Sequence, residues 1–258
     1  MDNDVMFVEE RKLKILEYLK DRKKATVNEL CAAFNVSGAT IRNDLRELEN
    51  SNLLVRAHGG AMVKSKTAYE LDAKQREVQN LLQKKRIANA AIQRIEDGDT
   101  IILDTGTTTL ELARLLNTKR NLTVITNDIE IASVLEDFDQ INIILIGGIL
   151  RKRFHCTIGM AGHEMLAGLA VDKAFMGANG FTVEKGATTP DISQAERKKA
   201  MISIASQIIL LCDSSKIGRN SFAQFAPLNE IDVLITDELG ESEWKQIEEA
   251  GIKVLIGK

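Results

Sequence analysis

The chain has 258 residues, 44% of them apolar, and a net charge of −3. That is enough length and apolar surface for two domains, one small and one of ordinary size. The charge excludes a nucleic-acid protein that is basic throughout. Residues 1–66 nevertheless hold 12 Lys and Arg against 10 Asp and Glu, which permits a local positive surface. Cys31, Cys156 and Cys212 are odd in number, far apart and outside any metal-ligand spacing, the pattern of buried thiols in a reducing compartment. Asp2, Asp4, Glu9 and Glu10 stand where a secretory leader would be basic and then apolar, and no apolar stretch reaches bilayer-spanning length. The expectation is a cytoplasmic protein with no membrane segment, metal or cofactor.

The first helix is predicted over residues 8–24, with Leu13, Ile15, Leu16 and Leu19 on one face. Thr26 opens a second, short helix, and Glu29 three residues on completes a capping box. Phe34-Asn35-Val36 turns the chain, and Ser37 is the natural N-cap of a third helix over residues 37–48. There Ile41, Leu45 and Leu48 share one side, Ala39, Asn43, Arg46 and Asn50 the other, with Arg42 on the flank. Residues 53–61 follow as a basic hairpin. Two helices joined by a tight turn, then such a hairpin, make a winged helix-turn-helix. At the start of the third helix, the short side chains of Ser37, Ala39 and Thr40 allow close approach to duplex. Arg42, Asn43 and Arg46 can reach base edges or phosphates, and Arg56 and His58 on the wing can meet phosphate or the minor groove. The competing reading, a three-helix bundle with a solvated charged face, does not account for the wing or the second domain.

Residues 64–83 are polar and lack Pro and Gly. They are expected to form a helical linker between a DNA-binding domain at 1–63 and a second domain at 84–258. Leu81, Leu82, Ile87, Ala91 and Ile95 carry an amphipathic helix toward Asp97-Gly98. Beyond it, apolar strands at 100–103, 122–125, 141–146, 173–176, 208–212, 233–235 and 253–256 alternate with helices at 108–116, 129–138, 194–206 and 241–250. That alternation implies a mainly parallel sheet covered on both faces. Ligands of such sheets gather at the carboxyl ends of the strands. There the sequence places Asp104-Thr105-Gly106-Thr107-Thr108, Thr126-Asn127, Gly147-Gly148, Asn179 and Lys216. Backbone N–H groups at a helix start, threonine hydroxyls and a lysine favour an anion.

These motifs resemble the DeoR family of bacterial sugar-metabolism regulators. In the first domain the likeness rests on Phe34-Asn35-Val36-Ser37, Thr40-Ile41-Arg42-Asn43-Asp44-Leu45 and Arg56-Ala57-His58-Gly59-Gly60-Ala61. In the second it rests on Asp104-Thr105-Gly106-Thr107-Thr108, Val124-Ile125-Thr126-Asn127, Ile146-Gly147-Gly148, Asn179-Gly180 and Asp213-Ser214-Ser215-Lys216. The family usually carries Arg-Arg-Asp-Leu where this chain has Arg42-Asn43-Asp44-Leu45, which bears on operator sequence. The resemblance implies an α+β winged helix-turn-helix domain followed by an α/β Rossmann-like domain related to ribose-5-phosphate isomerase. It further implies a repressor whose operator affinity responds to a phosphorylated sugar. Operator symmetry implies a homo-oligomer, dimer or tetramer.

An isomerase tethered to a DNA-binding domain is the alternative. It would need a general base, for which Asp104, Asp191 and Glu196 are the candidates. Asp191 and Glu196 fit helix capping better. A second domain that only oligomerises is a third reading. The polar segment 185–191 is expected to be a loop able to close over a ligand, and His155 and His163 to be ordinary loop or surface residues.

Overall fold

The computed structural model describes residues 8–22, 24–50, 53–57, 59–63 and 70–258. The chain divides into two compact units, Met1–Tyr69 and Glu70–Lys258. In the first, α1 (Val8–Arg22), β1 (Lys24–Thr26), α2 (Val27–Phe34), α3 (Gly38–Asn50), β2 (Leu54–Ala57) and β3 (Gly60–Val63) follow in order. Ile15, Leu19, Leu30, Ile41, Leu45 and Leu54 form its core. The capping box is present: Glu29 N–H donates to Thr26 Oγ1 (3.2 Å), and Thr26 N–H to Glu29 Oε2 (2.7 Å). Asn35, left-handed at φ 51°, ends α2, as asparagine can because its short polar side chain tolerates that region. Strand β1 replaces the end of the expected first helix. It pairs antiparallel with β3, in the sheet order β1-β3-β2. Gly60 permits the pairing, since a Cβ there would fall on the Ala25 carbonyl.

The second unit begins with α4 (Ala73–Val78) and α5 (Leu81–Ile92), then β4 (Thr100–Leu103), α6 (Thr107–Ala113), β5 (Leu122–Thr126), α7 (Ile129–Leu135) and β6 (Ile141–Leu145). A hairpin of β7 (Ile149–Arg151) and β8 (Cys156–Ile158) leads to α8 (Ala161–Leu166) and β9 (Val171–Gly177). Next come β10 (Gly180–Thr182), β11 (Gly186–Thr189), α9 (Ile192–Ile202), β12 (Ala205–Leu211) and β13 (Ala223–Ala226). The chain closes with β14 (Val233–Thr236), α10 (Glu241–Glu249) and β15 (Lys253–Ile256). Seven strands form one parallel sheet in the order β15-β14-β12-β9-β4-β5-β6. Side chains alternate across it, as the pleat requires. On β9, Ala174 and Met176 join one core with Ala195 and Met201 of α9, while Phe175 joins the opposite core with Ile87 of α5 and Leu110 of α6. The strand order runs outward in both directions from the β4/β9 pair. The ends of these two strands therefore flank a topological switch point, the crevice where such sheets hold ligands.

Part of the expected linker belongs to this unit. Residues 64–69 lie outside the described residues, but Glu70 is an inward-facing carboxylate of the second unit, bonded to Arg151. Leu82, expected on an apolar face, is 71% exposed. Segment 185–191 is not a loop. Most of it is β11, the buried central strand of a three-stranded antiparallel sheet with β10 and β13. Its threonines bond within the fold: Thr188 Oγ1 donates to Gly180 O (3.0 Å) and Thr189 Oγ1 to Asn179 Oδ1 (3.2 Å). Among the described residues no helix is long and apolar enough to cross a membrane.

Candidate functional sites

Helix α3 presents the expected face. Ser37, Ala39, Arg42, Asn43 and Arg46 are exposed and Thr40 is half-buried, while Ile41, Leu45 and Leu48 are buried. Ser37 caps the helix, its Oγ accepting from Thr40 N–H (3.2 Å). The Asn43 amide donates to Glu47 (3.0 Å), and exposed Arg56 sits 3.8 Å from Glu49. His58 lies outside the described residues. Sequence reasoning missed the anchor of this helix. Asp44, 1% exposed, takes both Arg11 Nε (2.6 Å) and Nη2 (3.1 Å). The bond to Asp44 raises the Arg11 pKa above its ordinary value, against the opposing effect of burial. The pair fixes α3 to α1, which sets the angle at which Arg42 and Arg46 project.

At the switch point, a narrow cleft is lined by Thr105, Gly106, Thr107, Thr108 and Thr109 from the β4–α6 turn and by Gly177, Ala178 and Asn179 after β9. Gln194 and Lys198 of α9, Lys216 and Arg76 of α4 complete it. Of the expected ligand residues, Thr105, Gly106, Thr107, Thr108, Asn179 and Lys216 thus come together. Asp104 lies beneath the cleft rather than in it. It is fully buried, ion-paired with Lys198, and accepts the Gly177 N–H (2.9 Å). Lys198 also donates to Gly177 O (2.9 Å) and stands 4.9 Å over the Phe225 ring. Lys216 pairs with Asp213 at 3.2 Å. Burial pushes the Asp213 carboxyl up, but Lys216, Ser215 and Asn80 outweigh it and leave the pKa below the ordinary value.

Besides Asp104, four expected residues are not in the cleft, for reasons visible in their contacts. Thr126 is fully buried and its hydroxyl accepts from Asp128 N–H (3.1 Å). Asn127 donates to Thr157 O (3.0 Å), tying β5 to β8. The Gly147 carbonyl faces Arg197 at 3.5 Å. A Cβ on Gly148 would fall on the Ile158 carbonyl, so that glycine serves hairpin packing. Conversely, Lys198, Gln194 and Arg76 were missed. Gln194 and Lys198 are four apart and share the buried face of α9, whereas Glu196 is exposed. Asp191 is the N-cap of α9, accepting from Gln194 N–H (2.9 Å). Lys84, at the start of α5, is buried and donates to Arg76 O. Burial, and then the nearby Lys216, lower its pKa to about 8. His155 bonds Glu130 (2.5 Å). Among the described residues, no cluster of His, Cys, Asp and Glu could hold a metal.

Two family models cover most of the chain: the DeoR-like helix-turn-helix domain matches residues 11–67, and the DeoR C-terminal sensor domain matches residues 79–238. The chain belongs to the DeoR family. This DeoR-family transcription regulator is 38% identical over 253 residues to the HTH-type transcriptional regulator GlpR of Haloferax volcanii, covering 98% of this chain and 99% of that one. It is 37% identical to the HTH-type transcriptional repressor GlcR of Bacillus subtilis, covering 97% of each. Among solved structures, ribose 5-phosphate isomerase A from Methanocaldococcus jannaschii matches with a TM-score of 0.41 at 20% identity, over 54% of this chain and 55% of that one. The Pyrococcus horikoshii translation initiation factor eIF-2B matches with 0.43 at 14%, over 88% and 86%.

Proposed function

We propose that this DeoR-family regulator represses a sugar-catabolism or transport operon, and that a phosphorylated sugar in the β4/β9 cleft shifts its operator affinity. The observation that carries the effector reading is the grouping of Arg76, Lys198 and Lys216 around five consecutive residues, four of them threonines, at one switch point. Lysine and arginine attract a phosphate dianion, and hydroxyls and backbone N–H groups supply donors for phosphate and sugar oxygens. Ser37, Ala39, Thr40, Arg42, Asn43 and Arg46 of α3, with Arg56, form the DNA-reading surface. The protein acts as an even-numbered homo-oligomer, dimer or tetramer, since paired recognition helices match a two-fold or repeated operator.

The cleft binds its ligand without turnover. An aldose–ketose isomerase needs a carboxylate within reach of the substrate's C1 and C2 protons. Here Glu196 faces solvent, Asp191 caps α9, and Asp104 is buried against Lys198. Residues 1–63 read DNA, the unit that begins at Glu70 holds the effector, and the chain joining them transmits between the two. An operator-binding titration with pentose and hexose phosphates tests the reading, with inorganic phosphate alongside. At least one sugar phosphate must change operator affinity; if none does, the cleft is not an effector site. Turnover in an isomerase assay would overturn the binding-only reading.

A further inference from the structure

Arg76 stands in an unusual position. It lines the switch-point cleft on one side and, on the other, a second small cleft bounded by Ala73, Thr105, Leu110, Asp128, Glu130 and Phe154. The first cleft encloses about 20 Å3 and the second about 10 Å3. Within its walls each has room for about one water, so a sugar phosphate seated inside either cleft requires a wall to move. Most walls are fixed. The β4–α6 turn is tied down by Thr105 Oγ1 to Asp128 (2.6 Å) and Thr109 Oγ1 to Gly106 O (2.8 Å), and Lys198 is locked between Asp104 and Gly177 O.

Arg76 is held badly by comparison. Its Nη1 is 3.5 Å from Glu70 Oε1, too long for a good charge-assisted bond. Arg76 Nε and Glu70 Oε1 are both buried with no hydrogen-bond partner. The strong bond of Glu70 goes instead to Arg151 (2.6 Å), which stacks 3.7 Å from the Phe154 ring. Glu70 is the first residue of the second unit. The chain from it to α4 is pinned at few points: Ala73 N–H on Arg153 O (2.9 Å) and the Asp72–Gln75 capping box.

We propose that Arg76 is both an effector ligand and the residue that passes the effector's arrival to the linker. This rests on the reading of the cleft as an anion site. An entering phosphate offers Arg76 a better partner than Glu70. The guanidinium swings to it, the two clefts merge, and Glu70 is left to Arg151 alone. The start of the second unit is then re-anchored. The carboxylate of Glu70 thus competes with the effector for one cation.

Competition makes a signed prediction, testable on the full-length protein with inorganic phosphate as the probe. Phosphate affinity is read at constant ionic strength by calorimetry, and hydrogen exchange of residues 70–78 is followed in parallel. E70Q keeps the shape of the side chain and removes the competing charge, so it should tighten phosphate about ten-fold. R76M should weaken phosphate ten-fold or more. In E70Q/R76M the effect of E70Q should vanish, a coupling that a general loss of folding would not produce. Phosphate should change exchange at 70–78 in the wild type and not in R76M.

If K198M abolishes phosphate binding while E70Q and R76M bind as the wild type does, the cleft is an anion site and Arg76 has no part in it. If the wild type binds neither inorganic phosphate nor any pentose or hexose phosphate, the cleft reading falls and takes this inference with it. If E70Q weakens phosphate while remaining fully folded, Glu70 assists rather than competes, and the proposal is wrong.

Discussion

Asp44→Ala should destabilise the DNA-reading unit selectively. Asp44 is 1% exposed and Arg11 8%, and the two meet through two hydrogen bonds. Removing one partner of a buried, hydrogen-bonded pair typically costs about 3–5 kcal/mol. At about 0.05–0.15 kcal/mol per residue, a unit of this size has roughly 3–10 kcal/mol in total. The variant should therefore lose a third or more of that stability, and most of it if the unit lies at the low end. The two units can be followed separately. The single tryptophan, Trp244, lies in α10 of the second unit, so its fluorescence in a urea titration reports that unit alone. Far-UV circular dichroism sees the helices of both. The early dichroism transition should move to lower urea while the Trp244 transition stays in place. Arg11→Met combined with Asp44→Leu should recover most of the loss, because hydrophobic replacement of both partners places no charge in the buried position. A loss below about 1 kcal/mol, or a double variant less stable than the single one, would refute this account of how α3 is held.

Arg42→Ala should weaken operator binding by about 1–3 kcal/mol and relax sequence preference if Arg42 reads a base edge; selection of bound sequences checks it, and an unchanged preference would place Arg42 on the backbone only. Lys216→Ala should cut the effector's influence on operator affinity, measured by anisotropy, and a wild-type response would remove Lys216 from the cleft's chemistry. Lys84 has a folded pKa near 8 against 10.5 for an unhindered lysine. Between those values the unfolded chain binds more protons than the folded one. The contribution of Lys84 to stability therefore rises with pH across that window, by at most about 3 kcal/mol. Lys84→Met should flatten the rise between pH 8 and 10.5 relative to wild type in urea titrations, and parallel curves would contradict it.

The seven sheet strands were legible because each is a short apolar run bounded by polar turns, buried on both faces. The hairpin β7–β8 and the sheet β10-β11-β13 were not. Segments such as Gly186–Thr189 are small and polar, and their burial comes from partners distant in the chain: Ala187 pairs with Ala226. The same distance explains the site. The β4–α6 turn announces itself by local composition, whereas Lys198 joins it only because α9 lays a buried face across the strand ends. Thr126, Asn127, Gly147 and Gly148 are polar or glycine residues at strand ends like their neighbours. Sequence does not distinguish a strand tip that opens on the cleft from one that packs against a hairpin. Asp44 stood only as one letter of the family motif, because nothing local reveals that Arg11 reaches it across the unit.

The central claim couples two sites through one chain, and the most direct measurement is operator affinity as a function of sugar-phosphate concentration, set against sugar-phosphate affinity with and without operator. Coupling free energies between sites are typically about 1–3 kcal/mol and reciprocal. The account predicts that some phosphorylated sugar shifts operator affinity about 5–150-fold, and that operator shifts the affinity for that sugar by the same factor. Tight operator binding that no phosphorylated sugar alters would contradict it.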